Sequence, residues 1–191
     1  MLHMLALLWM FHSPLTRYTK MVDKVSASVI RITGQVEQGQ FTCTGFVVAK
    51  NRVMTAGHCE GAEMNADGQV ATILKVDHVN DLMLLSVPTA KAPLQFALPE
   101  VRRYQDLTAI GYAYGWTVLS VLQERVFLLH SKTDDDSPVT LIVQGGYIGG
   151  MSGGPLVDSK GRVVGINQRA NGIIGVSVNA LIMKAFLLGT E

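Results

Sequence analysis

Gly149-Gly150-Met151-Ser152-Gly153-Gly154-Pro155-Leu156 sets one serine among four glycines, at a turn that leads into an apolar strand. Glycine beside a serine lets the backbone take unusual dihedrals and lets a carbonyl substrate come close. In this arrangement the amides of Gly150 and Ser152 can share one oxyanion hole and stabilise a tetrahedral intermediate. The same letters also describe a Gly-rich β-turn with an idle serine, so the surrounding segments have to decide.

One competing reading is the G-x-S-x-G nucleophile elbow, which would make the chain an esterase or lipase. That elbow is followed in chain order by an acid and then a histidine, whereas His3, His12, His58, His78 and His130 all precede Ser152. The elbow reading therefore fails. Thr55-Ala56-Gly57-His58-Cys59 follows the β-run Arg52-Val53-Met54, which places His58 at a strand end in a turn of small residues. Histidine titrates close enough to neutrality to accept and return a serine proton, although a lone histidine is usually a satisfied surface or core group. In Val79-Asn80-Asp81-Leu82-Met83-Leu84-Leu85 a carboxylate opens an apolar strand. A carboxylate at the border of a core needs a partner. Either the Nδ1 proton of His58 supplies it or Asp81 caps a turn.

The rest of the chain reads as all-β. Alternating or β-branched runs recur at 25–33, 41–49, 52–56, 70–76, 82–87, 107–110, 117–129, 139–143, 155–157, 162–166 and 173–178, each bounded by turn residues. The prolines at 88 and 93 break this rhythm between two halves of comparable strand number. The organisation expected is an apolar leader or non-domain segment over 1–20, a first unit over 21–90, a linker over 91–104 and a second unit over 105–178. A short closing helix follows over 179–191, with Asn179 as its N-cap and Gly189 at its end. Residues 1–11 are apolar but too few to cross a bilayer as a helix, and no transmembrane span is expected. Residues 1–20 stay open between a degenerate leader, a membrane-surface anchor and untranslated sequence ahead of Met21. The leader reading favours a secreted or periplasmic protein. Charged residues make up only 16% and the formal net charge is +1, which gives no electrostatic footprint for nucleic acid.

Taken together, the segments around His58, Asp81 and Ser152 resemble the TAGHC, D-L-x-L-L and G-x-S-G-G-P-L motifs of the chymotrypsin-like serine peptidase superfamily, in the same order. Lys24–Ile32, and Gly153–Val157 through Val164–Asn167, resemble bacterial HtrA-type peptidase domains; no PDZ module is expected after the closing helix. The resemblance spans Met21 to about Val178. It implies two six-stranded antiparallel Greek-key barrels with the active site between them. It also implies Ser152 as nucleophile, His58 as general base, Asp81 as its orienter, Gly150 and Ser152 as oxyanion donors, and a disulfide between Cys43 and Cys59. Gly146, Tyr147 and Ile148 fall at the specificity pocket, and Ile166, Asn167 and Gln168 on the strand edge that pairs with an extended peptide.

Two departures from the digestive members stand out. Met151 replaces the aspartate that pairs with a freed N-terminus, so the site is preformed or regulated otherwise. No acid stands at the base of the specificity pocket, so cleavage after Arg or Lys is disfavoured and a small or aliphatic residue is expected before the scissile bond. His78 reads as a solvent-facing loop residue. His130 and Asp134-Asp135-Asp136 read as an exposed loop tip, which lacks the further oxygen ligands that Ca²⁺ requires. With two cysteines and no paired histidine spacing, no metal and no cofactor are expected. The expected activity is hydrolysis of peptide bonds in a peptide or protein substrate through an acyl-enzyme. The alternatives are a catalytically silent peptide-binding module of the same fold, and an esterase or acyl transferase using the same triad.

Overall fold

A computed structural model of the chain describes residues 14–97, 101–129 and 141–189. The first thirteen residues of the apolar segment, with His3 and His12, lie outside the described residues, as do His130 and the acidic triplet Asp134-Asp135-Asp136.

The chain enters through helix α1 (Pro14–Ser26). Proline is tolerated at a helix start, where its missing N–H has no intrahelical partner. Met21 and Val25, four residues apart, turn one face inward. They close on the turn before β12: a Cβ on Gly161 would stand 3.0 Å from Val25 Cγ2 and 3.2 Å from Met21 Cγ. The boundary drawn between residues 20 and 21 therefore falls inside a helix. The strand expected from Val25 begins only at Val29, because Met21 and Val25 are spaced for a helix that buries both.

The first unit contains β1 (Val29–Val36), β2 (Gly39–Ala49), β3 (Arg52–Ala56), β4 (Ala62–Ala66), β5 (Gln69–Val70), β6 (Thr72–Asp77) and β7 (Leu82–Ser86). They pair in the order β5-β4-β1-β2-β3-β7-β6. β5 and β6 are one run bent at Ala71, whose amide still donates to Met64 O at 2.9 Å. The first part of that run pairs with β4 and the second with β7, so the sheet curls into six strands' worth of wall. β4 escaped the sequence pattern, and β5 was reached only at Val70. Their hairpin turns on Asp67-Gly68, both at positive φ (49° and 84°), the pairing that type I′ turns favour.

Residues 88–97 cross to the second unit without a strand of their own, yet they are pinned. Leu94 N–H donates to Val47 O and Ala97 N–H to Val163 O, at 2.9 and 2.8 Å. The second unit is a closed barrel in the order β10-β13-β12-β11-β8-β9. Its strands are β8 (Asp106–Gly111), β9 (Ser120–Leu129), β10 (Leu141–Gln144), β11 (Pro155–Val157), β12 (Val163–Ala170) and β13 (Ile174–Asn179). Helix α2 (Ala180–Leu188) follows, with Asn179 Oδ1 accepting from the Ile182 amide at 3.0 Å and Gly189 as C-cap.

Period-two alternation divides the apolar residues among three cores. From β2, β3 and β7, Val47, Val53, Met83 and Leu85 fill the first barrel. Their neighbours Phe46, Met54, Leu82 and Leu84 face the other way and meet Ile110, Val157, Ile166, Met183 and Phe186 in a core between the two units. The second barrel holds Leu107, Ala109, Val126, Leu141, Val143, Leu156 and Val164. Each fully buried side chain of this size stabilises by about 1.5–3 kcal/mol. The shared core thus fixes the two units against each other, and the cleft lies along their junction.

Candidate active site

His58 sits in a single 3₁₀ turn, Gly57–Cys59, directly after β3. The turn is tied to β2 by a disulfide between Cys59 and Cys43. Gly57 is required by proximity, since a Cβ there would stand 3.1 Å from Asp81 Oδ1 and from the Leu82 amide. Asp81 lies just ahead of β7 in the left-handed region, φ 52°. Its carboxylate grips the turn twice. Oδ1 accepts from the His58 backbone amide at 2.7 Å, and Oδ2 lies 2.8 Å from His58 Nδ1. An ionised carboxylate only accepts, so in the neutral imidazole the proton on Nδ1 faces it and Nε2 is left as the acceptor. Asp81 is buried while the imidazole is nearly half exposed. Behind them the Gln168 side chain donates from Nε2 to Asn80 O and Asp81 O, at 2.7 and 2.9 Å.

Ser152 reaches the same place from the second barrel. Its Oγ donates to Gln168 O at 3.2 Å and makes no hydrogen bond to His58 Nε2. The histidine–aspartate contact expected from the sequence is therefore formed, and the serine–histidine contact is not.

Thr44 secures the turn that carries Ser152. Its Oγ1 donates to Gly150 O at 2.8 Å and accepts from the Tyr112 amide at 2.9 Å. Its own amide donates to Ser152 O at 2.8 Å, and its carbonyl accepts from Thr55 Oγ1 at 2.7 Å. The Tyr114 amide holds Gly149 O at 2.6 Å. At Gly150 (φ 93°) a Cβ would fall 2.3 Å from Tyr112 O, so only glycine fits. With those carbonyls engaged, the amides of Gly150 and Ser152 have no acceptor among the described residues. Met151, between them, is fully buried in the second barrel's core, where an aspartate would carry an unpaired charge.

The remaining expected site residues divide. Ile166 buries its side chain in the inter-unit core and pairs with both Pro155 and Val178. Asn167 uses its backbone on Gly153 and Gly154. These two residues offer no open strand edge, since the β11–β12 register reaches Ile166 at Pro155, where β11 begins, and the Asn167 backbone is taken by Gly153 and Gly154. Tyr147 is buried, its hydroxyl bonded to Ser177 Oγ and its ring against Gly175; burial pushes its phenol well above the ordinary range. Gly146 is buried beside it, with φ 76°, and Ile148 is half-buried. His78 is solvent-facing, as expected, and borders with His58, Asp81, Gln168 and Arg169 an open depression of about 300 Å³.

Two contributors were not anticipated. One is Thr44, whose signal was a polar residue inside the apolar run Cys43–Val48. The other is Glu124, buried on β9, whose carboxyl is raised by burial from 4.5 to about 7, an effect that the nearby Gly146 amide partly offsets. A cluster of Cys43, His58 and Cys59 has the spacing of a metal site, but its two sulfurs are bonded to each other.

Comparison with known proteins agrees with this architecture. Two serine proteases of Mycobacterium tuberculosis strains, MT3772 and Rv3671c, are each 31% identical over 139 residues, covering 64% of this chain and 34% of theirs. The chain thus spans about a third of the length of these curated relatives. The crystal structure of the Rv3671c protease in its active form superposes with a TM-score of 0.79 at 25% identity, covering 88% of this chain and 82% of that one. The HtrA-type protease AlgW with a tripeptide shares the fold, with a TM-score of 0.79 at 18% identity, covering 90% of this chain and 62% of that one. Residues 43–166, which include His58, Asp81 and Ser152, match the trypsin-like peptidase domain, and to that family the chain belongs.

Proposed function

We propose that the chain is a serine endopeptidase working through an acyl-enzyme, with Ser152 as nucleophile, His58 as general base and acid, and Asp81 as its orienter. The observation that carries this reading is the double grip of one buried carboxylate on His58, which fixes the imidazole with its basic Nε2 uncommitted.

An extended peptide paired with β12 at Gln168 offers a backbone N–H to Gln168 O, the acceptor that Ser152 Oγ occupies at rest. The hydroxyl, displaced, rotates to His58. Nε2 takes the proton as Oγ attacks the carbonyl carbon, and the amides of Gly150 and Ser152 receive the developing oxyanion. The imidazolium, stabilised by Asp81, then protonates the leaving nitrogen as the C–N bond breaks. Water attacks the ester in turn, with His58 taking its proton and returning one to Ser152. The Cys43–Cys59 bridge supports an oxidising compartment as the place of action.

Ser152→Ala is expected to lower turnover by about six orders of magnitude, measured on a quenched peptide library. A specific observation favours a second reading, a silent peptide-binding module: Ser152 is bonded to Gln168 rather than to His58. A fluorophosphonate probe separates the two. Labelling at Ser152 supports the enzyme, whereas a folded protein left unlabelled and unable to cleave supports the module.

A further inference from the structure

The interior of a small barrel is filled by apolar side chains, and Glu124 and Asn167 interrupt that pattern. Glu124 turns inward from β9 two residues ahead of Val126. It is 3% exposed, and neither carboxylate oxygen meets a donor in hydrogen-bond geometry, although the Gly146 amide lies near enough to favour the ionised form. Asn167 on β12 is wholly buried, and both its amide nitrogen and oxygen are bare. Orphaned buried polar groups are rare in folded proteins and call for an occupant.

Both lie on one track behind the nucleophile. Asn167 is bonded through its backbone to Gly153 and Gly154, at 2.7 and 2.9 Å. Its Nδ2 stands 3.2 Å from where a Gly154 Cβ would be. Opposite Asn167 in the β12–β13 register is Ser177, whose hydroxyl meets that of Tyr147. Two residues before Tyr147, Gly145 packs so closely on Glu124 that a Cβ would come within 2.4 Å of Oε2. Asn167, Ser177, Tyr147 and Glu124 thus form a buried polar lining behind the turn that carries Ser152.

We propose that this lining is the subsite for the side chain preceding the scissile bond, and that it takes a basic side chain, lysine or arginine, with Glu124 as counter-charge and Asn167 Oδ1 as second acceptor. The assignment rests on the endopeptidase reading. An ammonium or guanidinium supplies donors only, which is what a bare carboxylate and a bare carbonyl lack. An acidic side chain meets like charge, and an aliphatic one leaves every orphan unpaired. The segment that resembles the pocket base, Gly146-Tyr147-Ile148, has no acid, and so the sequence pointed away from basic residues; the carboxylate comes from β9 instead. Because the orphaned atoms are enclosed, a side chain reaches them when residues 145–148, ahead of the pinned Gly149 and Gly150, yield. Two of those four, Gly145 and Gly146, are glycines at positive φ.

Benzamidine, a guanidinium-like probe, reads the subsite without turnover when titrated by NMR onto the full chain carrying Ser152→Ala. Saturable binding is expected, weakened by about tenfold or more when Glu124→Gln is added and by a smaller factor when Asn167→Val is added. The Ser152-containing chain is expected to cleave after arginine about tenfold or more faster than after leucine, a preference that Glu124→Gln removes. No binding, equal binding to a folded Glu124→Gln chain, or cleavage after arginine no faster than after leucine overturns the subsite. If Glu124→Gln does not fold, undiminished binding to Asn167→Val overturns it. A labelled Ser152 without benzamidine binding defeats the subsite alone. An unlabelled Ser152 with Glu124-dependent binding defeats the endopeptidase reading and leaves the subsite standing.

Discussion

Thr44 commits its amide, its carbonyl and both roles of its hydroxyl to the site: the carbonyls of Gly150 and Ser152, the Tyr112 amide and the Thr55 hydroxyl all meet it. Valine matches its shape but not its hydroxyl. Thr44→Val strands a buried carbonyl and a buried amide, at a cost of about 1–3 kcal/mol. Freed from its anchor, the Gly150 peptide should turn more easily, so kcat is expected to fall with little change in KM, as steady-state kinetics can show. Glu124 carries a different signature. Its carboxyl is raised from 4.5 to about 7 by burial, so the folded chain holds a proton there that the unfolded chain has released. The stability it contributes is fully present below 4.5 and is lost as pH rises through about 7. The ionisable neighbour is Tyr147, which stays neutral throughout this window. Melting temperature should therefore drop between those limits in the native chain, and Glu124→Gln should flatten that part of the profile. An unchanged slope in the variant would assign the dependence to other groups.

At the level of elements, the motif-bearing strands were legible because each is a short apolar run ended by small or polar residues, and β3 and β11 fall where the pattern drew them. What stayed hidden has physical causes. β4 is Ala-Glu-Met-Asn-Ala, too mixed to announce a strand; only its Asp67-Gly68 turn betrays it. Helix α1 was obscured because Val25 can begin a β-like run as easily as end a helical stripe, and Gly161, its docking site, is distant in sequence. If α1 is part of the folded unit, Met21→Ala should destabilise by about 2–5 kcal/mol. Chemical denaturation measures this, and a neutral result would mean that the helix rests on the surface without bracing it. That the Ile166 and Asn167 backbones are covered was hidden for a similar reason: the sequence shows a strand, whereas its neighbours decide where it is paired.

Across the whole molecule, His58 and Asp81 hang from the first unit and Ser152 from the second, with Thr44 bridging the junction. Under the proposed mechanism, a slide of about 1 Å between the halves would misplace Ser152 from His58 while both barrel interiors stayed dry. Rising guanidinium should therefore abolish peptide cleavage at concentrations where circular dichroism still reports full β-structure, and the lag between the two curves gauges how much softer the seam is than the bodies it joins.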